Sequence, residues 1–441
     1  MNTHSHRHHA AFRVFPFRGL AMPVFGLLAL AAGASRARDY EVWLVDQSNS
    51  FGLNYGGYVH IWDGARLEGK AASKAEPADI LDLGAETAAL CLANTGSNPV
   101  RPHMLFFNST HSHGILAFVA SGHVVVFDGA TREPVGAIRT LPGAGGVQQA
   151  HAAVPAPDDS GILVCNQNGK QLEWIDTDYS SNTYVRRDDK LLPLESLEVL
   201  GLLPDNAPIC AAIEASSRFA FVTLRGGGLA IVDVQATPME VFALYDATVF
   251  APVGCGTQQI GDWMYVDAGG GLASNLYGFD LYRIPLASLG GPFPIPPAPG
   301  HIQWLYSDPS DHRDAHGILA TKHERYAWVF DRAGNVAEVF DTETGAHVNT
   351  VPLAGLSLDD PTPDLADISP SGNRIFTSLR GPNPLSGDPH ASTGAIPGLG
   401  IIQVTQGGRT GFMKAIVPIS NLDSSSVQRA DAHGIRVRRI E

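Results

Sequence analysis

Charge is scarce in this 441-residue chain, and positive charge is the scarcer sign. Only 17% of residues are charged, with 30 Lys and Arg against 44 Asp and Glu and a formal net charge of −14. That balance excludes a broadly basic nucleic-acid-binding surface as the main activity. The low charge fraction also argues against a coiled coil or helical bundle, which needs Lys and Glu at helical spacing, and against a disordered chain. Cysteine is nearly absent: Cys91, Cys165, Cys210 and Cys255 are too few for a disulfide framework, although one or two bridges remain open in an oxidising compartment. The one apolar run of note, Leu20 to Ala32, is shorter than a membrane span requires. No GxSxG elbow, P-loop, dinucleotide glycine fingerprint, HExxH or CxxCH motif occurs, which argues against the commonest hydrolase, nucleotide-dependent and c-type haem chemistries.

What the chain has is glycine (47) and proline (30), the composition of many short strands joined by turns. Residues 1–37 read as a cleaved export signal: Arg7, Arg13 and Arg18 precede the apolar run, and Ala32-Gly33-Ala34 or Ser35-Arg36-Ala37 supplies the small residues of a cleavage site. His4, His6, His8 and His9 lie ahead of that run and should leave with it. The expectation is a soluble, monomeric periplasmic or secreted protein with no transmembrane segment, its residues 38–441 forming one domain.

That domain is repetitive. A strand resembling Tyr-Val-x-Asn, a Gly-containing loop and a strand ending in Asp recur together. Phe118-Val119-Ala120-Ser121 leads to Val125-Val126-Phe127-Asp128, Leu163-Val164-Cys165-Asn166 to Trp174-Ile175-Asp176, and Phe221-Val222-Thr223-Leu224 to Ile231-Val232-Asp233. Tyr265-Val266-Asp267 pairs with Tyr277-Gly278-Phe279-Asp280, Trp328-Val329-Phe330-Asp331 with Val339-Phe340-Asp341, and Phe376-Thr377-Ser378 with Ile401-Ile402-Gln403-Val404. A seventh copy is split: Asp431 to Arg436 begins a repeat, and Glu41 to Asp46 continues it. The fold class is therefore all-β, a seven-bladed propeller of four-stranded antiparallel blades closed by pairing the terminal strands in one blade. The recurrent strands, with Asp341-Thr342-Glu343-Thr344-Gly345, resemble the YVTN-type and lactonase-like seven-bladed propellers. The resemblance implies architecture; no lactonase signature can be placed residue by residue, and no catalytic residue is carried over.

Aligning the copies brings one residue into register ahead of each first strand: His103, His151, Cys210, Cys255, His316, Asp364 or Asp367, and His433. First strands line the central channel of a propeller, so these seven positions face one another across a funnel. Four imidazoles, two thiols and a carboxylate are transition-metal ligands, and the mixture suits copper or zinc better than magnesium or calcium. Each histidine or cysteine taken singly would also serve as an ordinary inter-blade contact, and Cys210 and Cys255 could instead form a disulfide. Loops joining second and third strands should open on the same face. They carry Arg225 and Arg380 at matching positions, either to orient a small anionic substrate through the planar guanidinium fork or to make inter-blade salt bridges. The long loop after Arg380 adds Asp388 and His390 as a candidate acid/base pair. His111 and His113 alternate as a bidentate strand site would, but register puts them in the turn after the first strand of their blade, a weaker second metal candidate at the opposite face.

Three functions follow. The first is a metal-dependent exported enzyme, oxidoreductase or hydrolase/lyase, acting on a small anion. The second is a metal chaperone or store with a metal-acceptor protein as partner. The third is an interaction scaffold whose funnel residues only pack.

Overall fold

The computed structural model of the protein describes residues 40–269, 278–355, 359–385 and 393–440. Seven antiparallel sheets succeed one another around a ring. Blade 1 runs, from channel to rim, Ala432–Arg439, Tyr40–Asp46, Tyr58–Asp63 and Asp79–Asp82. Blades 2 to 7 begin with the inner strands Pro102–Phe107, Ala150–Pro155, Pro208–Ile213, Thr257–Ile260, Ala315–Ala320 and Pro363–Ile368. The terminal strands close the ring in antiparallel register, with Val42 opposite Val437 and Leu44 opposite Ile435.

Burial explains the sequence pattern. Each sheet is covered on both faces by its neighbours, so the second strands His113–Phe118, Gly161–Asn166, Phe219–Leu224 and Arg374–Leu379 are buried along their whole length. Such strands read as continuous apolar runs rather than as alternation. The rim strand His347–Pro352 is mostly exposed and polar. Trp43, Trp62 and Trp328 are fully enclosed between blades.

Among the described residues, departures from the repeat include the following three. Glu86–Thr95 is an α-helix ending at Gly96 in the left-handed region (φ 75°), a cap suited to glycine; Thr95 Oγ1 lies 2.8 Å from His123 Nε2. Blade 3 carries a fifth short strand, Leu192–Pro193, against Gln171–Leu172. In blade 5 the third strand, Phe279–Pro285, starts where the repeat alignment placed its end. Among the described residues no helix is long and apolar enough to cross a membrane.

Candidate metal centre

The inner strands position the candidate residues through a repeated irregularity. In blades 1, 2, 4, 6 and 7, two inner-strand residues oppose one residue of the second strand, and in blade 3 His151 alone is the extra residue. The extra pair is His433-Gly434, His103-Met104, Ile209-Cys210, His316-Gly317 or Asp364-Leu365. Each is a β-bulge, which turns a side chain away from its ladder position. Blade 5 has no such shift; Cys255 lies two residues ahead of its inner strand. Gly434 and Gly317 follow their histidines because neighbouring inner strands come too close for a side chain. A Cβ on Gly434 would collide with the His103 carbonyl, and one on Gly317 would sit 2.5 Å from the Asp364 carbonyl.

The aligned residues meet in two linked groups. In the first, the buried Asp364 carboxylate has His433 Nδ1 2.7 Å from Oδ2 and His316 Nδ1 2.5 Å from Oδ1. Arg380 Nη1 donates to Asp364 Oδ2 at 2.9 Å, while its Nε and Nη2 grip Asp431 at 2.7 and 2.8 Å. Arg332 pairs with Asp314 at 2.8 Å and stands 3.8 Å from Asp364 Oδ1. Burial opposes ionisation of Asp364, but His316, His433, Arg332 and Arg380 outweigh it and hold the carboxyl well below its usual range. Burial lowers both imidazoles, His433 to about 4, so they are neutral at neutral pH. With Nδ1–H donated to the carboxylate, the His433 lone pair lies on Nε2, which is buried and has no hydrogen-bond partner.

In the second group, Gln47 Nε2 donates to Asp431 Oδ2 at 3.1 Å, fixing the amide so that Oε1 accepts from His103 Nδ1 at 2.8 Å. His103 Nε2 therefore carries a lone pair, and it faces His151 Nε2 at 3.2 Å. Two nitrogens each ~2.0–2.1 Å from a tetrahedral zinc stand about 3.3 Å apart. Burial and then the neighbouring His433 and His151 keep His103 well below the ordinary histidine range. The His103 ring stacks on His433 at a centroid distance of 3.9 Å, joining the two groups. Beyond His151, Nδ1 lies 4.0 Å from Cys210 Sγ, which is 3.8 Å from Met104 Sδ.

Cys210 and Cys255 form a disulfide with Cα atoms 5.1 Å apart, so the bridged alternative is the one observed. Neither sulfur is a thiolate ligand in that state. His151, Cys210 and Cys255 nevertheless form the one trio of His, Cys, Asp or Glu among the described residues whose donor atoms all lie within 4.8 Å of one another. Asp267 braces this corner, accepting the backbone N–H groups of Cys255 and Gly256 at 3.2 and 2.7 Å; burial pushes its carboxyl up to about 8. The free thiols Cys91 and Cys165 are buried and pushed up to about 12, far from nucleophilic at neutral pH.

Other expected residues lie elsewhere. Arg380 is committed to Asp364 and Asp431, and Arg225 pairs with Asp205 at 2.5 Å and with Asn168 Oδ1 at 3.1 Å. Asp367 is spent on the backbone N–H groups of Ile368 and Val437, leaving Asp364 as the ring carboxylate. His113 clasps the next blade, with Nε2 2.9 Å from Asn182 Oδ1, and His111 stacks on Phe107 at 5.7 Å. Asp388 and His390 lie outside the described residues. Gln47 and Arg332 follow second strands, in loops equivalent to those of Arg225 and Arg380 that the sequence places on this face, whereas Met104 is an ordinary inner-strand residue that carried no signal.

The loop carrying Gln47 also shapes, with Leu385 and residues 421–429, a cleft of about 560 Å³ lined by Phe51, Leu53 and Leu422.

No protein family's sequence profile matches the chain, and no curated protein does. Solved structures share its fold. A hypothetical selenium-binding protein from Sulfolobus tokodaii superposes with a TM-score of 0.60 at 11% identity, covering 91% of this chain and 94% of that one. A protein from Bacteroides fragilis named for 6-phosphogluconolactonase gives 0.54 at 10% identity, over 92% and 99%. The β-propeller domain of Cps50 (Swd1) from Myceliophteria thermophila gives 0.52 at 12% identity, over 76% and 93%. At these identities the likeness is one of fold.

Proposed function

We propose that the funnel holds one transition-metal ion, with His103, His151 and His433 supplying imidazole nitrogens, Gln47 fixing the tautomer of His103 and Asp364 that of His433. The observation that carries this reading is the pairing of a partnerless buried His433 Nε2 with the 3.2 Å approach of His103 and His151 Nε2. An imidazole whose other nitrogen is held by a carboxylate or amide is the usual metal-ligating arrangement. Copper is favoured over zinc by Met104, a thioether 3.8 Å from Cys210 Sγ, because thioether sulfur selects Cu(I). The bound ion would supply Lewis acidity or electron transfer. Arg380 and Arg332 act as braces that keep Asp364 ionised and in place.

The chain is read as an exported metal-dependent enzyme. The residue 1–37 pattern and a disulfide suited to an oxidising compartment support export. The lactonase-like resemblance of the blades and the selenium-binding name of one fold neighbour add nothing residue-specific. The test is metal analysis of protein purified from its native compartment. About one copper per chain is expected, falling at least tenfold in His433→Ala and His151→Ala variants that still unfold cooperatively; metal-free native protein would remove the reading. A metal carrier is the second reading, favoured by the same Met104 thioether. Rapid transfer of copper to a chelating acceptor would select it over an enzyme, which retains its ion.

A further inference from the structure

Beside the ring, lined by residues of the inner strands, lies a cavity of about 40 Å³. On the measure by which ~10–15 Å³ admits one water, it has room for about three. Its walls come from six blades and are almost wholly apolar or neutral: Met104, Phe106, Ile318 and Leu365, with the Cys210–Cys255 bridge on one side. The single charged side chain in the lining is Arg436, on the innermost strand of blade 1, three residues beyond His433.

The guanidinium of Arg436 lies over the Phe106 ring at 4.5 Å and donates from Nη1 to its neighbour's carbonyl, Ile435 O, at 3.0 Å. No carboxylate among the described residues forms an ion pair with it. Asp367 is the carboxylate that acts on it through space, and both Asp367 oxygens are engaged by backbone N–H groups. Burial lowers the Arg436 pKa, and Asp367 offsets this only in part. By contrast, Arg332, Arg380 and Arg438 each hold a carboxylate. Arg436 is half-buried, and with one of its five donors used on the chain the rest of the fork faces an otherwise uncharged chamber, where a small anion can take them.

We infer that Arg436 and this chamber form a binding site for a small monovalent anion, of the size of chloride, formate or acetate. Phe106 and the aliphatic walls exclude hydrated multivalent anions, and the guanidinium supplies the remaining donors. The site stands on the fold and the lining alone and needs no metal.

The test is ³⁵Cl NMR line broadening by the whole protein, titrated with sodium formate as competitor. Wild type should show chloride broadening that formate displaces. Arg436→Met, which keeps the stem against Phe106, should lose affinity for both anions by roughly tenfold or more, the worth of a charge-assisted hydrogen bond. Should Arg436→Met fail to fold, Arg436→Lys serves: it keeps the charge without the fork, so formate displacement should weaken several-fold. Unchanged displacement in whichever variant folds overturns the proposal, as does loss of displacement in Arg225→Gln instead. Chelator-treated protein should bind chloride as well as untreated protein. If chelation abolishes binding, the anion sits on a metal and the assignment to Arg436 fails; if metal analysis is negative while Arg436-dependent binding persists, only the metal reading fails.

Discussion

Asp364 does more than any other side chain to organise the funnel, because two imidazoles and two guanidinium groups converge on its two oxygens. Replacing it by Asn leaves the shape but halves the acceptor capacity and strands the braces. Asp364→Asn should weaken copper affinity by about 10–100-fold, the usual effect of losing a carboxylate behind a ligating histidine, read by competition with a chelator of known affinity. Asp267 offers a cleaner electrostatic test. Its folded pKa of about 8 lies above the ordinary carboxyl value, so its stability contribution is complete below pH ~4 and is lost as pH rises through 8. Asp267→Asn keeps the oxygen that accepts from Cys255 and Gly256 and removes the titration. The variant should therefore melt above wild type by a margin that grows between pH 5 and pH 8; a margin independent of pH would show that Asp267 is not held protonated.

Among the elements, the inner strands decide whether the ring exists. The spacing of His103, His151, His316 and His433 was legible because aligned repeats place equivalent residues at equivalent heights. The bulges were not legible: an extra residue becomes visible only when the partner strand is known, as with Leu105 opposite Leu116 while Pro102 opposes Phe118. The His-Gly pairs at 316–317 and 433–434 were present in the sequence, but their reason lies across the gap between adjacent inner strands. Gly434→Ala should cost about 1–3 kcal/mol, since its methyl must displace the His103 carbonyl and approaches Leu105 N and Val45 within 3.1 Å. Chemical denaturation would measure the loss, and the same variant should bind less copper because the His103 and His433 rings part.

For the molecule as a whole, closure is the feature to test. Deleting residues 430–441 removes the inner strand that pairs with Tyr40–Asp46, including buried Ile435 and Val437, and exposes an unpaired edge on blade 1. The truncated chain should lose its sharp thermal transition and elute partly as larger species on size exclusion; a monomer with unchanged melting would mean that the ring does not depend on this strand. The split repeat, read from the strings around Asp431 and Glu41, was sufficient to establish seven blades and the terminal seam, because strand periodicity and turn spacing are local properties. The same strings placed a histidine, cysteine or carboxylate at the head of every inner strand. Only the folded ring decided which of these meet: it bridged Cys210 to Cys255, turned Asp364 inward to orient His316 and His433, committed Arg380 to carboxylates and set Arg436 over Phe106 as the one charged side chain lining the small cavity. Those outcomes depend on distances between blades hundreds of residues apart in the chain, which are set by how seven sheets pack around one axis and by no segment on its own.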